Sequence, residues 1–181
     1  LEKRLPLEDQ EELGKAALES SLFGDSHPYS HVVYGNLKSL KNIDHEKILS
    51  HYQNHFTQNK ITVGAGGILT TQLKQQLSEV FKALPVGKEQ KATIPQGTRK
   101  SKLNLTIVTG PFESTGVHIG VVQPYVRNSP DFPAMFLTSN AFGKHRSFVG
   151  RLMKVVREIR GLNYGTYAYV EEFPQGGHYM T

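Results

Sequence analysis

Arg157 and Tyr164 are the pair of residues whose types and spacing best suit catalysis. Residues 151–160 carry apolar side chains at helical spacing, Gly161 ends that pattern, and a tyrosine-rich segment follows. A helix that ends there can aim a guanidinium and a phenol at one point, where two fixed donors stabilise negative charge on a substrate oxygen. The residues also allow a structural role, because arginine suits a helix C-terminus and strand tyrosines commonly pack with a wet hydroxyl.

Two pairs of histidines have the i, i+4 spacing that zinc helices use. His51 and His55 lie on a predicted helix, but Glu46 is more than one turn away and no glutamate lies between them to act as general base. This pair is interpreted as bordering an apolar helix face. His27 and His31 flank a proline-containing turn that is expected to leave both exposed. The chain itself is therefore predicted to hold no metal, and no cofactor motif with complete spacing is present.

Composition indicates a folded chain and argues against several classes of protein. Hydrophobic residues make up 38% and charged residues 20% of the 181 residues. No apolar run is long enough to span a bilayer, which needs about 20 residues. The net charge of +5 gathers partly in the polar segment 88–102, which contains no aromatic residue, so nucleic-acid binding is not expected. The absence of cysteine excludes disulfides and thiolate metal sites.

The elements that would position these residues change in type along the chain. Apolar periodicity predicts helices over 7–23, after an N-cap at Asp44, and after Thr70 or Thr71, with an irregular stretch between the first two. Strands are predicted at 60–65, 103–108 and 116–123, and from Tyr164 and His178 onward. A fourth helix is predicted after Ser129, with its buried face formed by Ala134, Leu137, Thr138 and Ala141, and Ser147 is the expected cap of the helix that contains Arg157.

The order and spacing of several blocks resemble the pitrilysin/insulinase family of zinc metallopeptidases, which includes the mitochondrial processing peptidases. The blocks that carry the resemblance are LFGDSHPYSH at 22–31, HYQNHF at 51–56, AFG at 141–143 and RLMKVVREIRGLNYG at 151–165. The resemblance covers nearly the whole chain.

The resemblance implies a fold and a position within a larger protein. The family's α+β domains contain a mainly antiparallel β-sheet with helices packed on one face, and two such domains close around a peptide. Residues 1–87 correspond to the end of the first domain, 88–101 to a linker, and 102–181 to the start of the second. The two parts are expected to pack as a single pseudo-domain. In the family the second domain supplies an arginine and a tyrosine near the scissile carbonyl, and these correspond to Arg157 and Tyr164.

The sequence departs from the family pattern in the zinc ligands and in a glycine-rich turn. The first domain of the family carries HxxEH and a distal glutamate, but this sequence contains no HxxEH. Glu2 lies at about the distance before Phe23 that the distal zinc ligand would occupy, without a local motif to support it. The family's glycine-rich turn is also altered, to GKHRSFVGRL at 143–152.

Three functions follow as hypotheses. The first is a segment of a bacterial zinc-dependent metalloendopeptidase, with zinc in the full-length parent and peptides or unfolded proteins as substrates. The second is a non-catalytic homologue or partner subunit, and the third is a structural subunit such as the respiratory-complex core proteins of this fold. Both homodimers and heterodimers with a related subunit fit these hypotheses. The residues leave open whether the compartment is the bacterial cytoplasm or the periplasm.

Overall fold

Helices form most of the regular structure in this computed structural model, which describes residues 9–33, 35–87, 93–95, 97, 100–123, 125–144, 148–173 and 177–180. The α-helices are α1 (Gln10–Phe23), α2 (Leu37–Lys41), α3 (His45–His55), α4 (Thr71–Lys82) and α5 (Phe132–Gly143), and a π-helix covers Met153–Ile159. The strands are β1 (Gly120–Gln123), β2 (Tyr169–Glu172) and β3 (Gly177–Met180), and single 3-10 turns lie at Pro28–Ser30 and Gln58–Lys60.

The prediction of a mainly antiparallel β-sheet fold is wrong, since the structure is mostly helical. The described strands form one small sheet in the order β1-β3-β2, with four residues in each strand and both pairings antiparallel. The segments 60–65 and 103–108 form no ladder within the described residues, and only β1 is a strand within the predicted 116–123. β-Branched residues favour a strand only where a neighbour covers them, and Ile107 is 76% exposed.

The chain divides into two compact units. One contains Leu1–Tyr34 and Ile94–Thr181, and the other contains Gly35–Thr93. This division describes packing, whereas the predicted boundaries at 87 and 102 describe family domains and stay a prediction. Within the described residues, no helix combines the length and the apolar character that a bilayer crossing requires.

Helix α1 packs against β1 in the first unit. Asp9 caps the helix by accepting from the backbone N–H groups of Glu11 and Glu12. Gly120 allows a close approach, because a Cβ there would lie 2.9 Å from a methyl group of Leu22 and 3.0 Å from one of Leu18. A residue with a side chain at this position would therefore require the side chains of Leu18 and Leu22 to shift.

Helix α5 buries a different face from the predicted one. Ala134, Leu137, Thr138 and Ala141 are exposed, while Ser139 and Gly143 are buried. The Gly143 carbonyl accepts from the Ala168 N–H, and a Cβ on Gly143 would lie 3.0 Å from that nitrogen. The buried positions of α5 carry small residues because the backbone at Ala168, in the segment before β2, lies against the helix. The described buried apolar core is small and consists of Val122, Met153 and Ala168.

The histidine turn at 27–31 was wrongly predicted to expose both histidines. His31 is exposed, but His27 is only 5% exposed and its ring lies 4.7 Å from that of Phe23. His27 Nε2 lies 2.8 Å from the carbonyl oxygen of Pro95, and its Nδ1 accepts from the backbone N–H of Tyr29 at 3.1 Å. This pairing assigns the neutral Nε2–H tautomer, so His27 connects the end of α1 to a segment 68 residues away.

Side-chain caps determine where the helices of the second unit begin. Asp44 accepts from the Lys47 N–H and Thr70 from the Leu73 N–H, which confirms the predicted starts of α3 and α4. The stretch predicted as irregular contains α2, which begins with a capping box between Asn36 and Ser39.

Candidate functional site

The π-helix places Arg157 in its last turn. Met153 is 1% exposed and fixes the start of this helix in the core of the first unit. At its end, the N–H of Gly161 bonds to the carbonyl of Arg157 at 2.9 Å, and the N–H of Leu162 bonds to that of Val156 at 3.0 Å. Gly161 adopts φ +61°, so the glycine that ends the sequence pattern also turns the backbone. Short π-helical segments within helices are frequently found at functional sites.

Arg157 and Tyr164 lie together, and a third residue, Phe148, completes the cluster. The guanidinium carbon of Arg157 lies 4.5 Å from the ring centroid of Tyr164 and 4.6 Å from that of Phe148. The two ring centroids are 5.8 Å apart, and the ring planes meet at 72°. Because the rings are nearly perpendicular, the guanidinium lies in the corner that they form rather than between parallel faces. We call these three residues the arginine corner.

The arginine corner is open to solvent and carries a permanent positive charge. Tyr164 is 72% and Phe148 53% exposed, while Arg157 is partly buried. Arginine stays protonated at any physiological pH, and its five N–H groups point outward in the plane of the guanidinium. No hydrogen bond or ion pair to this guanidinium is found within the described residues. The corner can therefore donate hydrogen bonds to a ligand oxygen.

Sequence reasoning selected Arg157 and Tyr164 but missed Phe148. The separation of nine positions between Phe148 and Arg157 matches neither a helical nor a strand repeat, so spacing gave no signal. Between them Gly150 adopts φ +111°, a conformation that side chains other than glycine's rarely adopt. The residue expected to cap this helix, Ser147, lies outside the described residues.

The described residues do not fit a zinc site. They contain no group of three histidine, cysteine, aspartate or glutamate side chains that could hold a metal. The rings of His51 and His55 lie 4.4 Å apart on α3, and the ammonium of Lys60 lies 3.5 Å from His55 Nδ1. Burial, followed by the nearby charges of His51 and Lys60, lowers the pKa of His55. Glu2, the candidate distal ligand, lies outside the described residues.

A second group of charged residues joins α1 to β2. The ammonium of Lys15 donates to Glu171 at 2.9 Å, and both side chains are partly buried. Burial raises the pKa of Glu19 and that of Tyr169, and the charge of Lys15 opposes both shifts. This group connects two elements within the first unit through the ion pair of Lys15 with Glu171, so its geometry indicates a structural role.

Comparison with known proteins identifies the family. Residues 42–180 match the sequence model of a family described as the peptidase M16 inactive domain. Over 161 residues the chain is 28% identical to uncharacterised zinc proteases of Mycobacterium bovis and Mycobacterium tuberculosis. The alignment covers 87% of this chain but only 36% of either relative.

A solved structure shows the same likeness. The crystal structure of a peptidase M16 inactive domain from Pseudomonas fluorescens superposes with a TM-score of 0.83 at 27% identity, over 96% of this chain and 42% of that one. The chain belongs to the peptidase M16 family, and the resemblance that its sequence blocks indicated is confirmed. It matches the inactive domain of that family and spans about a third of the length of its curated relatives.

Proposed function

We propose that this chain supplies Arg157 and Tyr164 to the active site of a zinc-dependent M16 endopeptidase, whose zinc ligands belong to another part of the parent protein. The zinc proteases among its relatives support the parent's class. The observation that carries the proposal is the arginine corner, where the guanidinium of Arg157 lies 4.5 Å from the ring centroid of the exposed Tyr164. The substrate would be a peptide or an unfolded protein segment.

The chemistry of the arginine corner suits a developing oxyanion. When a peptide carbonyl is attacked, its oxygen gains negative charge, and prepositioned donors lower the energy of that state more than that of the substrate. The Arg157 guanidinium would donate charge-assisted hydrogen bonds from its edge, and the Tyr164 hydroxyl would add a neutral one. The chain's role in this proposal is electrostatic, and the described residues contain no group of three candidate ligands that could hold a metal ion.

The test uses the full-length parent and a fluorogenic peptide substrate. Arg157→Lys keeps the charge but loses the planar fork, and Tyr164→Phe removes only the hydroxyl. Each should lower kcat by about 10²-fold to 10³-fold with little change in KM, as for loss of one oxyanion donor. Arg160→Lys and Tyr52→Phe are the matched controls, because both residues are exposed and neither belongs to the arginine corner. Unchanged kcat in Arg157→Lys and Tyr164→Phe would reject the assignment.

The isolated chain contains only the arginine and tyrosine half of the proposed active site. Without the zinc half, the purified 181-residue chain should neither cleave peptides nor bind zinc tightly. Peptidase activity from this chain that a chelator abolishes and zinc restores would contradict the division of the site between two parts.

A non-catalytic partner subunit is the second candidate. Two observations favour it: the matched family model describes an inactive domain, and the sequence contains no HxxEH. Such a subunit would hold peptides or a related subunit through the same fold, as a homodimer or a heterodimer. Absence of HxxEH from the whole parent, together with lack of peptidase activity, would select this candidate over the first.

A further inference from the structure

Phe148 forms one wall of the arginine corner although half of its surface is exposed. Its ring centroid lies 4.6 Å from the guanidinium carbon of Arg157, as close as that of Tyr164 at 4.5 Å. The rings of Phe148 and Tyr164 also contact each other edge to face. An exposed phenylalanine gains little from burial, so its contacts with the Arg157 cation and with the Tyr164 ring are the interactions that this geometry offers it.

Two perpendicular walls restrict a guanidinium more than one wall does. An aromatic face attracts the cation, and this attraction is modest at exposed sites but directional. With Tyr164 alone, the long arginine side chain could rotate about the single ring and still keep its contact. With Phe148 present, two sides of the guanidinium are covered, and the N–H groups of Arg157 can donate only toward the open side of the corner.

We propose that Phe148 is a positioning residue for Arg157, which fixes the direction in which the guanidinium donates to the substrate oxygen. This inference rests on the proposed function, because it assigns Phe148 a role through Arg157. The ligand that suits the open side is an oxygen acceptor such as a peptide carbonyl, approached by the edge of the guanidinium. An apolar side chain of similar size would fill the same space but would not attract the cation.

The contact itself is tested on this chain by NMR. Arg157 lies over the Phe148 ring, whose current shields the Nε–H proton, so Phe148→Leu should move that resonance downfield. Phe148→Tyr keeps the ring face and should leave the resonance near its original position. Phe136→Leu is the matched control, since Phe136 is an exposed phenylalanine of α5 that contacts Phe132. If Phe148→Leu does not change the chemical shift of the Arg157 Nε–H proton, the inference is overturned regardless of the kinetics of the full-length parent.

The consequence is tested by kinetics on the full-length parent. Phe148→Leu should lower kcat about threefold to tenfold and leave KM within about twofold, because positioning acts on the transition state. Phe148→Tyr should restore kcat, a rescue that loss of folding would not show. If Phe148→Leu leaves kcat unchanged while Arg157→Lys lowers it, this inference alone is overturned. If Arg157→Lys also has no effect, the proposed function fails with it.

Discussion

Gly161 is the residue whose backbone conformation controls where the arginine corner lies. It adopts φ +61° directly after the π-helix, and its N–H bonds to the carbonyl of Arg157. A Cβ at this position would meet no atom within 4 Å. Any cost of a side chain here is therefore conformational rather than steric crowding with neighbours.

Gly161→Ala should destabilise the chain by about 1 kcal/mol, since an L-residue in the left-handed region costs roughly this much. Urea denaturation of the purified chain measures the change in the free energy of unfolding. Gly116→Ala is the control in the same compact unit, because its Cβ would make ordinary contacts of 3.4 Å or more and its φ lies outside the left-handed region. Equal effects of the two substitutions would show that φ at Gly161 is not the cause.

Single residues also show what sequence could and could not predict. Arg157, Tyr164 and Gly161 were recognised because a helix stop followed by a tyrosine is a local pattern. Phe148 and His27 were missed as members of their clusters because their partners depend on contacts between distant segments. The carbonyl that His27 contacts belongs to Pro95, 68 residues along the chain, and no local periodicity encodes that distance.

At the scale of elements, α1 lies close to the segment before β1 because it carries glycine in its interior. A Cβ on Gly14 would overlap the ring of His118. Glycine within a helix usually costs about 1 kcal/mol relative to alanine. The close approach of the imidazole explains why glycine occupies this position.

Gly14→Ala should change the stability of the chain by less than about 0.5 kcal/mol, because displacement of the half-buried His118 ring offsets the gain in helix propensity. In a His118→Ala background, where no ring must move, the same substitution should stabilise the chain by about 0.5–1 kcal/mol. The double-mutant cycle measured by urea denaturation isolates the coupling between the two positions. Additive effects would show that the imidazole does not lie against the helix in solution.

Predictions of elements succeeded where local signals decide them. The caps at Asp44 and Thr70 and the proline in the first turn of α5 mark helix starts within a few residues. Strands were overpredicted, because alternating apolar residues at 103–108 indicate a pleated segment only if another strand pairs with it. Leu105 is 82% exposed, and no described strand pairs with this segment. Pairing is a property of the whole fold.

For the whole molecule, burial is unequal between the two compact units. In the unit Gly35–Thr93, Thr57 is the buried residue among those described, and the apolar face of α3 is exposed, with Ile48 at 59%. The other unit contains the buried apolar residues Val122, Met153 and Ala168. A unit that buries little apolar surface opens at a lower free energy.

Hydrogen exchange followed by mass spectrometry should show this difference. Backbone amides of α3 are expected to exchange at least about tenfold faster than those of β1 and β2, which belong to the sheet. Peptides from α1 provide an internal reference within the first unit. Similar protection of α3 and the sheet would mean that the smaller unit gains stability that its burial does not explain.

The hydrogen bond between His27 and Pro95 has a consequence for the entropy of the chain. It closes a loop across 68 residues, and the unit Gly35–Thr93 lies within that loop. Holding the ends of such a loop together costs about 3.7 kcal/mol of chain entropy, a term that grows only with the logarithm of loop length. Insertions or deletions within the enclosed unit therefore change the closure cost by a few tenths of a kcal/mol. The contact therefore allows that segment to vary in length with little change in the entropy of closing the loop.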